Sequence, residues 1–307
     1  MPWFRRLELG IHLGRPPAGG RSRMAPARVD TCAKYRYPLL CARVESMRAT
    51  AAYLADLASR GRHHFTTADA QQAWQISAVA VRAALRRLKA RHEIADPHRG
   101  FHVLLPPEYR RLGCLPAEQF VPQLMDHLGE RYYVALLSAA EVHGAAHHRP
   151  QSFQVMVAKN RRPISCGEVR VQFVARKDLG RTPVIEQNTA RGRLRVASAE
   201  ATALELVGYA DQCGGLDNVA SVLAELVEAI DLPRLVAAAK LCPIAWVQRL
   251  GYLLDVVDRG TVADALAEYV HDHAAAVAPL VRSRSAAGAV RVERWRIAVN
   301  ATVEPDL

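Results

Sequence analysis

The stretch QISAVAVRAALRRLKARHEIADPHRGFHVLLPP (75–107) decides how this chain is read. Its first part repeats with a helical period. At about 100° per residue, Val81, Ala84, Leu85 and Leu88 fall on one side. Ser77 is a good N-cap residue, and the pattern predicts a helix from there to about Arg91. The opposite side carries Val79, Ala83, Arg86 and Ala90, flanked by Arg82 and Arg87. The segment EIADPHRGFHVLLPP (93–107) then reads as two short strands around a Pro-His-Arg-Gly turn.

Two further helices precede this one. RATAAYLADLASRG (48–61) places Ala51, Leu54, Ala55 and Ala58 on one face and stops at Gly61. HHFTTADAQQAW (63–74) predicts a short helix capped by Thr66 or Thr67, with Asp69 in its first turn. Three helices followed by a hairpin are the element order of a winged helix-turn-helix, expected over 47–106. In that arrangement the third helix enters the major groove of DNA. Small residues let its backbone approach closely, while guanidinium forks reach guanine edges or phosphates. The expected DNA-contacting set is therefore Thr67, Ser77, Val79, Arg82, Arg86, Arg87 and Lys89, with His98 and Arg99 at the wing tip. An arginine stripe alone is often only a solvated helix face; the ordered context gives this one its meaning.

The distribution of charge agrees. The formal net charge is +11. Residues 1–46 hold nine Lys and Arg against three Asp and Glu, and residues 47–106 hold nine against four. The remaining residues, 107–307, hold twenty-three of each sign. All the excess positive charge thus lies in the first third, as for a polyanion-binding module joined to a neutral domain. Residues 1–46 have no sustained period and are rich in Arg, Pro and Gly; they are expected to be a disordered basic tail or an over-long gene start.

The expected fold class is α+β, with the winged module followed by a mixed α/β domain over 107–307. There a long helical region is predicted for 116–146, and strands for 153–160, 169–176, 182–188 and 193–198. Helices follow at 199–212, 216–229, 232–241, 243–258 and 261–277, then a last strand at 290–300. GGLDN (214–218) reads as a glycine helix stop followed by an Asp217 cap.

Several functions are disfavoured. No apolar run reaches the roughly eighteen residues of a membrane span. The six cysteines are scattered without a C-x-x-C pair, which points to buried thiols in a reducing cytoplasm. His143 and His147 are four apart, yet no third ligand accompanies them, and His143 continues the apolar face of Leu136, Ala139 and Ala140. His271-Asp272 is too short to signify a phosphohydrolase. No phosphate-binding glycine loop, nucleophile elbow or transferase carboxylate pair occurs. The reading is of a non-enzymatic protein without cofactor or metal.

The blocks YYVALLSAAEVHGAAHHRPQSFQV (132–155), ATALELVGYADQCGGLDNVASVLAEL (201–226), QRLGYLLD (248–255) and WRIAVN (295–300), behind a basic winged helix-turn-helix, resemble the AbiEi antitoxins of abortive-infection toxin–antitoxin operons. The similarity covers 47–307. It implies an autorepressor that binds inverted repeats at its own promoter, with a C-terminal domain counteracting a co-encoded nucleotidyltransferase toxin in phage defence. The blocks supply no catalytic residue to transfer. A transcription regulator whose C-terminal domain senses a small ligand is the alternative.

Overall fold

The computed structural model describes residues 38–145 and 150–306, with side chains from Arg48 onward. The chain divides into two units, Met1–Met47 and Arg48–Leu307. The expectation for residues 1–46 lies outside the described residues, except for the backbone of the first helix. That helix, α1 (Pro38–Ser59), begins well before Arg48, where the periodicity placed its start.

The next elements are β1 (His64–Thr66), α2 (Thr67–Trp74), α3 (Ala78–Ala90), β2 (Ile94–His98) and β3 (Phe101–Leu104). Local chemistry sets the helix starts. The Thr66 hydroxyl accepts from the Asp69 amide at 3.0 Å, while the Asp69 carboxylate accepts from the Thr66 amide at 2.9 Å. This is a capping box, and it identifies Thr66 rather than Thr67 as the cap. Ser77 caps α3 through the Ala80 amide. Val81, Ala84, Leu85 and Leu88 are the buried residues of α3, as its period requires. They share a small core with Leu57, Phe65, Trp74, Ile94 and Leu104. Strand β1, which the sequence reading did not anticipate, pairs with β3, so the hairpin becomes a three-stranded sheet in the order β1-β3-β2. Pro97 and His98 belong to β2, with a bulge between Ala95 and His98, which leaves only Arg99 and Gly100 in the turn.

A six-stranded sheet organises the second half. After a short α4 (Val121–Leu128) come β4 (Tyr132–Val134), α5 (Leu136–Val142), β5 (Phe153–Val157), β6 (Ile164–Cys166), β7 (Val169–Ala175), β8 (Val184–Thr189) and β9 (Gly192–Ala197). The strand order is β6-β7-β5-β4-β9-β8, with β4 parallel to β9 and antiparallel to β5. The continuous helix expected over 116–146 is therefore corrected. Gly129 ends α4 in the left-handed conformation (φ 65°), and Tyr132–Val134 becomes an inner strand with all three residues buried. Pairing with Val155–Val157 and Val196 overrides the helical pattern of the flanking residues.

Five helices follow: α6 (Ala199–Gly208), α7 (Leu216–Leu226), α8 (Leu232–Ala239), α9 (Ile244–Val256) and α10 (Gly260–His273). Helix α6 is buried on every side from Ala199 to Val207 and packs on α5, α8 and α9. The expected cap at Asp217 is corrected: Gly215 is the N-cap of α7, and Asp217 lies in its first turn. The final segment is likewise two strands rather than one. Strands β11 (Val290–Val292) and β12 (Ile297–Val299) flank a tight turn that buries Trp295, and β12 also pairs with β10 (Ala278–Pro279). Residues Phe101 and Val103 of β3 lie in the same large core as β4, β5 and α6, while Leu104 lies in the smaller one.

Gly251 shows how tightly α9 meets that final turn. A Cβ at this position would stand 2.2 Å from two carbons of the Trp295 ring, which is held by a 2.6 Å hydrogen bond from Nε1 to Asp255. Neither side can yield cheaply. Gly251→Ala is expected to cost about 1–3 kcal/mol, despite the gain in helix propensity. Chemical denaturation would check this, and a stabilised variant would contradict the packing described.

Candidate functional site

The expected DNA-contacting residues lie on α2, α3 and the β2–β3 hairpin or at their ends, but they are not equivalent. Val79 is 67% exposed, which is unusual for a valine and leaves an apolar patch beside the cations. Arg82, Arg86 and Arg87 are exposed on the side of α3 away from its core, and Arg99 is exposed at the hairpin turn. No carboxylate pairs with any of these four among the described residues. The remaining cations nearby have partners: Lys89 Nζ lies 3.2 Å from Asp96, and Arg91 Nε lies 2.9 Å from Glu93. Cations without partners on a helix face are available to an incoming polyanion, whereas the paired ones must first give up an intramolecular contact.

Three other members of the set are engaged in holding the unit together. The Thr67 hydroxyl is 2.9 Å from His102 Nε2, and His102 Nδ1 is 2.6 Å from Asp96 Oδ1. The carboxylate thus orients a buried imidazole that ties the start of α2 to β3. The Thr67 amide also donates to the Gly100 carbonyl at 3.0 Å, which fixes the hairpin turn. Ser77 is spent on its cap, and His98 Nδ1 stays within 3.1 Å of the Arg99 carbonyl. His102 was not foreseen as part of this arrangement. Its partners are six and thirty-five residues away, and no local pattern marks them.

In the second half, α6 carries Glu205 into the core, fully buried. One oxygen accepts from the Tyr133 hydroxyl at 2.7 Å and from Arg176, and the Thr182 hydroxyl lies 3.1 Å from that of Tyr133. Arg176 in turn stands over the Trp246 ring at 5.6 Å. Burial pushes the Glu205 carboxyl up to about 7 against the pull of the Arg176 guanidinium. This network joins β4, the residue that follows β7, and α6.

His143 is half-buried and placed 2.8 Å from the Ala197 carbonyl, so it behaves as a satisfied histidine at the end of α5. The pairing considered with His147 lies outside the described residues. Among the described residues no group of three or more His, Cys, Asp or Glu could hold a metal, and no helix is long and apolar enough to cross a membrane. Cys114, Cys166, Cys213 and Cys242 are free thiols, the first three buried.

Comparison with solved structures gives the fold a precedent. The crystal structure of the RV2827C protein from Mycobacterium tuberculosis is similar over 80% of this chain and 89% of that one, with a TM-score of 0.58 and 17% identity. A likeness at that identity concerns the fold. An antigenic nucleotidyltransferase-like protein from Paracoccidioides brasiliensis aligns at 13% identity over 49% of this chain and 90% of that one, with a TM-score of only 0.32. No curated protein matches the chain. Residues 133–256, from β4 through α9, match the family described as the AbiEi antitoxin C-terminal domain. The similarity to the AbiEi antitoxins is thus shown for this stretch of the chain, 133–256.

Proposed function

We propose that this protein is a DNA-binding antitoxin. Residues 47–106 act as a winged helix-turn-helix that binds inverted repeats at its own promoter and represses it. Residues 107–307 counteract a co-encoded nucleotidyltransferase toxin, without catalysis of their own, and both partners place the protein in the cytoplasm. The observation that carries the DNA-binding part is the row Arg82, Arg86 and Arg87 on α3, exposed and without acidic partners among the described residues, with Arg99 at the adjoining turn. The antitoxin part rests on the family match over 133–256.

The test uses the whole chain, because Phe101 and Val103 bury into the large core and a cut at residue 106 would expose them. Co-expression with the neighbouring gene is expected to restore growth arrested by its product. Binding to the promoter DNA is expected to weaken steeply with salt, by about 0.9 log units per log unit of salt for each phosphate neutralised. Four available arginines predict a slope between about −3 and −4 if each meets one phosphate. A salt-independent affinity, or absence of rescue, would remove the corresponding half of the proposal.

A further inference from the structure

A cleft of about 690 Å³ opens between the end of α6, the start of α7, the middle of α9 and the segment 280–284. Its chemistry is distinct from that of the α3 face. Arg249 lines the cleft, yet it is only 8% exposed. Its Nε donates to the Pro279 carbonyl at 3.1 Å, and no carboxylate or other acceptor meets its two terminal nitrogens among the described residues. A buried guanidinium without a counter-ion is costly. Here the cost is increased, because Arg282 and Arg284 line the same cleft and neither has an acidic partner among the described residues. Burial, with Arg282 adding to it, lowers the pKa of Arg249.

Helix α7 faces the same space. Gly214 (φ 82°) and Gly215 (φ 97°) lead into it, and Gly215 is an N-cap without a side chain, so no side-chain cap covers the first amides of this eleven-residue helix. Such amides, with the positive end of the helix dipole, favour an anion. Two carboxylates also line the cleft. Asp217 already accepts from the Glu304 amide at 2.9 Å, and neither Asp217 nor Asp211 pairs with any of the three arginines. The Trp246 ring forms an apolar wall, seated so closely on α6 that a Cβ on Gly208 would come within 2.3 Å of it. The volume lies in the range of small-molecule sites and is far too small for a duplex.

We propose that this cleft binds a phosphorylated small molecule of up to nucleotide size, with Arg249, Arg282, Arg284 and the first amides of α7 receiving the phosphates beside Trp246. The proposal is independent of the antitoxin reading and of the DNA face. It would give the C-terminal domain a ligand by which its action could respond to the state of the cell.

The experiment is calorimetric titration of the full chain with ATP, inorganic phosphate and adenosine at physiological ionic strength. Saturable ATP binding is expected, competed by inorganic phosphate, with no binding of adenosine. Arg249→Met is expected to weaken ATP by at least about tenfold, since a charge-assisted bond to phosphate is lost. Because Arg249 is buried, the exposed pair Arg282→Ala with Arg284→Ala provides a second variant; it should lose a similar factor while the melting temperature of the free protein stays unchanged. Arg193→Ala, an exposed arginine paired with Glu186, should bind ATP as the parent does. Adenosine binding as tightly as ATP would overturn the proposal. So would the absence of saturable binding, or an Arg282/Arg284 variant with undiminished affinity.

Discussion

Replacing Arg82 and Arg86 together by alanine is expected to abolish promoter repression while leaving toxin neutralisation intact. Each side chain is exposed, lacks an acidic partner among the described residues and lies away from the buried face formed by Val81, Ala84, Leu85 and Leu88. Truncation therefore removes no packing and leaves no carboxylate unpaired, so stability should change by less than about 0.5 kcal/mol. Loss of a base-reading or phosphate-binding arginine costs roughly 1–3 kcal/mol. Two such losses, if additive, correspond to a fall of about thirty- to twenty thousand-fold in operator affinity. By contrast, Lys89→Ala should have a smaller effect on DNA binding, because its ammonium must first leave Asp96. The assay is a strain carrying the inducible toxin and a promoter reporter, with a mobility-shift titration of each purified variant. Operator affinity that survives the double substitution would refute the assignment of α3. Growth rescue that disappears together with repression, at equal protein level, would show that the toxin is met through the same face.

A comparably large effect is expected in the core. Above about pH 7, where Glu205 is ionised, Arg176→Met leaves its buried carboxylate without a counter-ion and should cost about 3–5 kcal/mol. Removing both partners, as in Arg176→Met with Glu205→Leu, should recover most of that loss, since no buried charge then remains. Arg193→Ala, at an exposed ion pair with Glu186, should cost no more than about 1 kcal/mol and serves as the control. The pH dependence follows from the direction of the shift. With its carboxyl raised from the ordinary 4.5 to about 7, folded Glu205 holds a proton that the unfolded chain has already released between these values. Its contribution to stability is therefore complete below about pH 4.5 and declines as pH rises through 7. Glu205→Gln should flatten the dependence in this window. A parent protein whose stability rises from pH 5 to 7, by an amount that Glu205→Gln leaves unchanged, would show that Arg176 keeps the carboxylate ionised.

The helices of the first sixty described residues were legible because their determinants are local. Ser77 and the pair Thr66 and Asp69 bond to amides three residues away, and the period of α3 places Val81, Ala84, Leu85 and Leu88 inward without reference to the rest of the chain. The four edge and middle strands expected over 153–198 were legible for a similar reason, since β-branched runs bounded by turns form them. The AbiEi resemblance likewise rests on contiguous blocks, and two of these blocks contain Gly251 and Trp295, which touch only after folding.

What the tertiary structure alone decided is of longer range. Tyr132–Val134 sits between segments with helical pattern, and it becomes a strand only because β5 and β9 offer ladders on both sides. Strand β1 is three residues long and exists through its pairing with β3. The same holds for the state of the charges. Lys89 and Arg86 look alike along the sequence, yet the hairpin brings Asp96 to one and, among the described residues, no acid to the other. The cleft draws on α6, α7, α9 and a loop more than seventy residues beyond the first of them. Caps and amphipathic faces are settled by neighbours within one helical turn, whereas strand pairing, ion pairing and cavities depend on residues that only the fold makes adjacent.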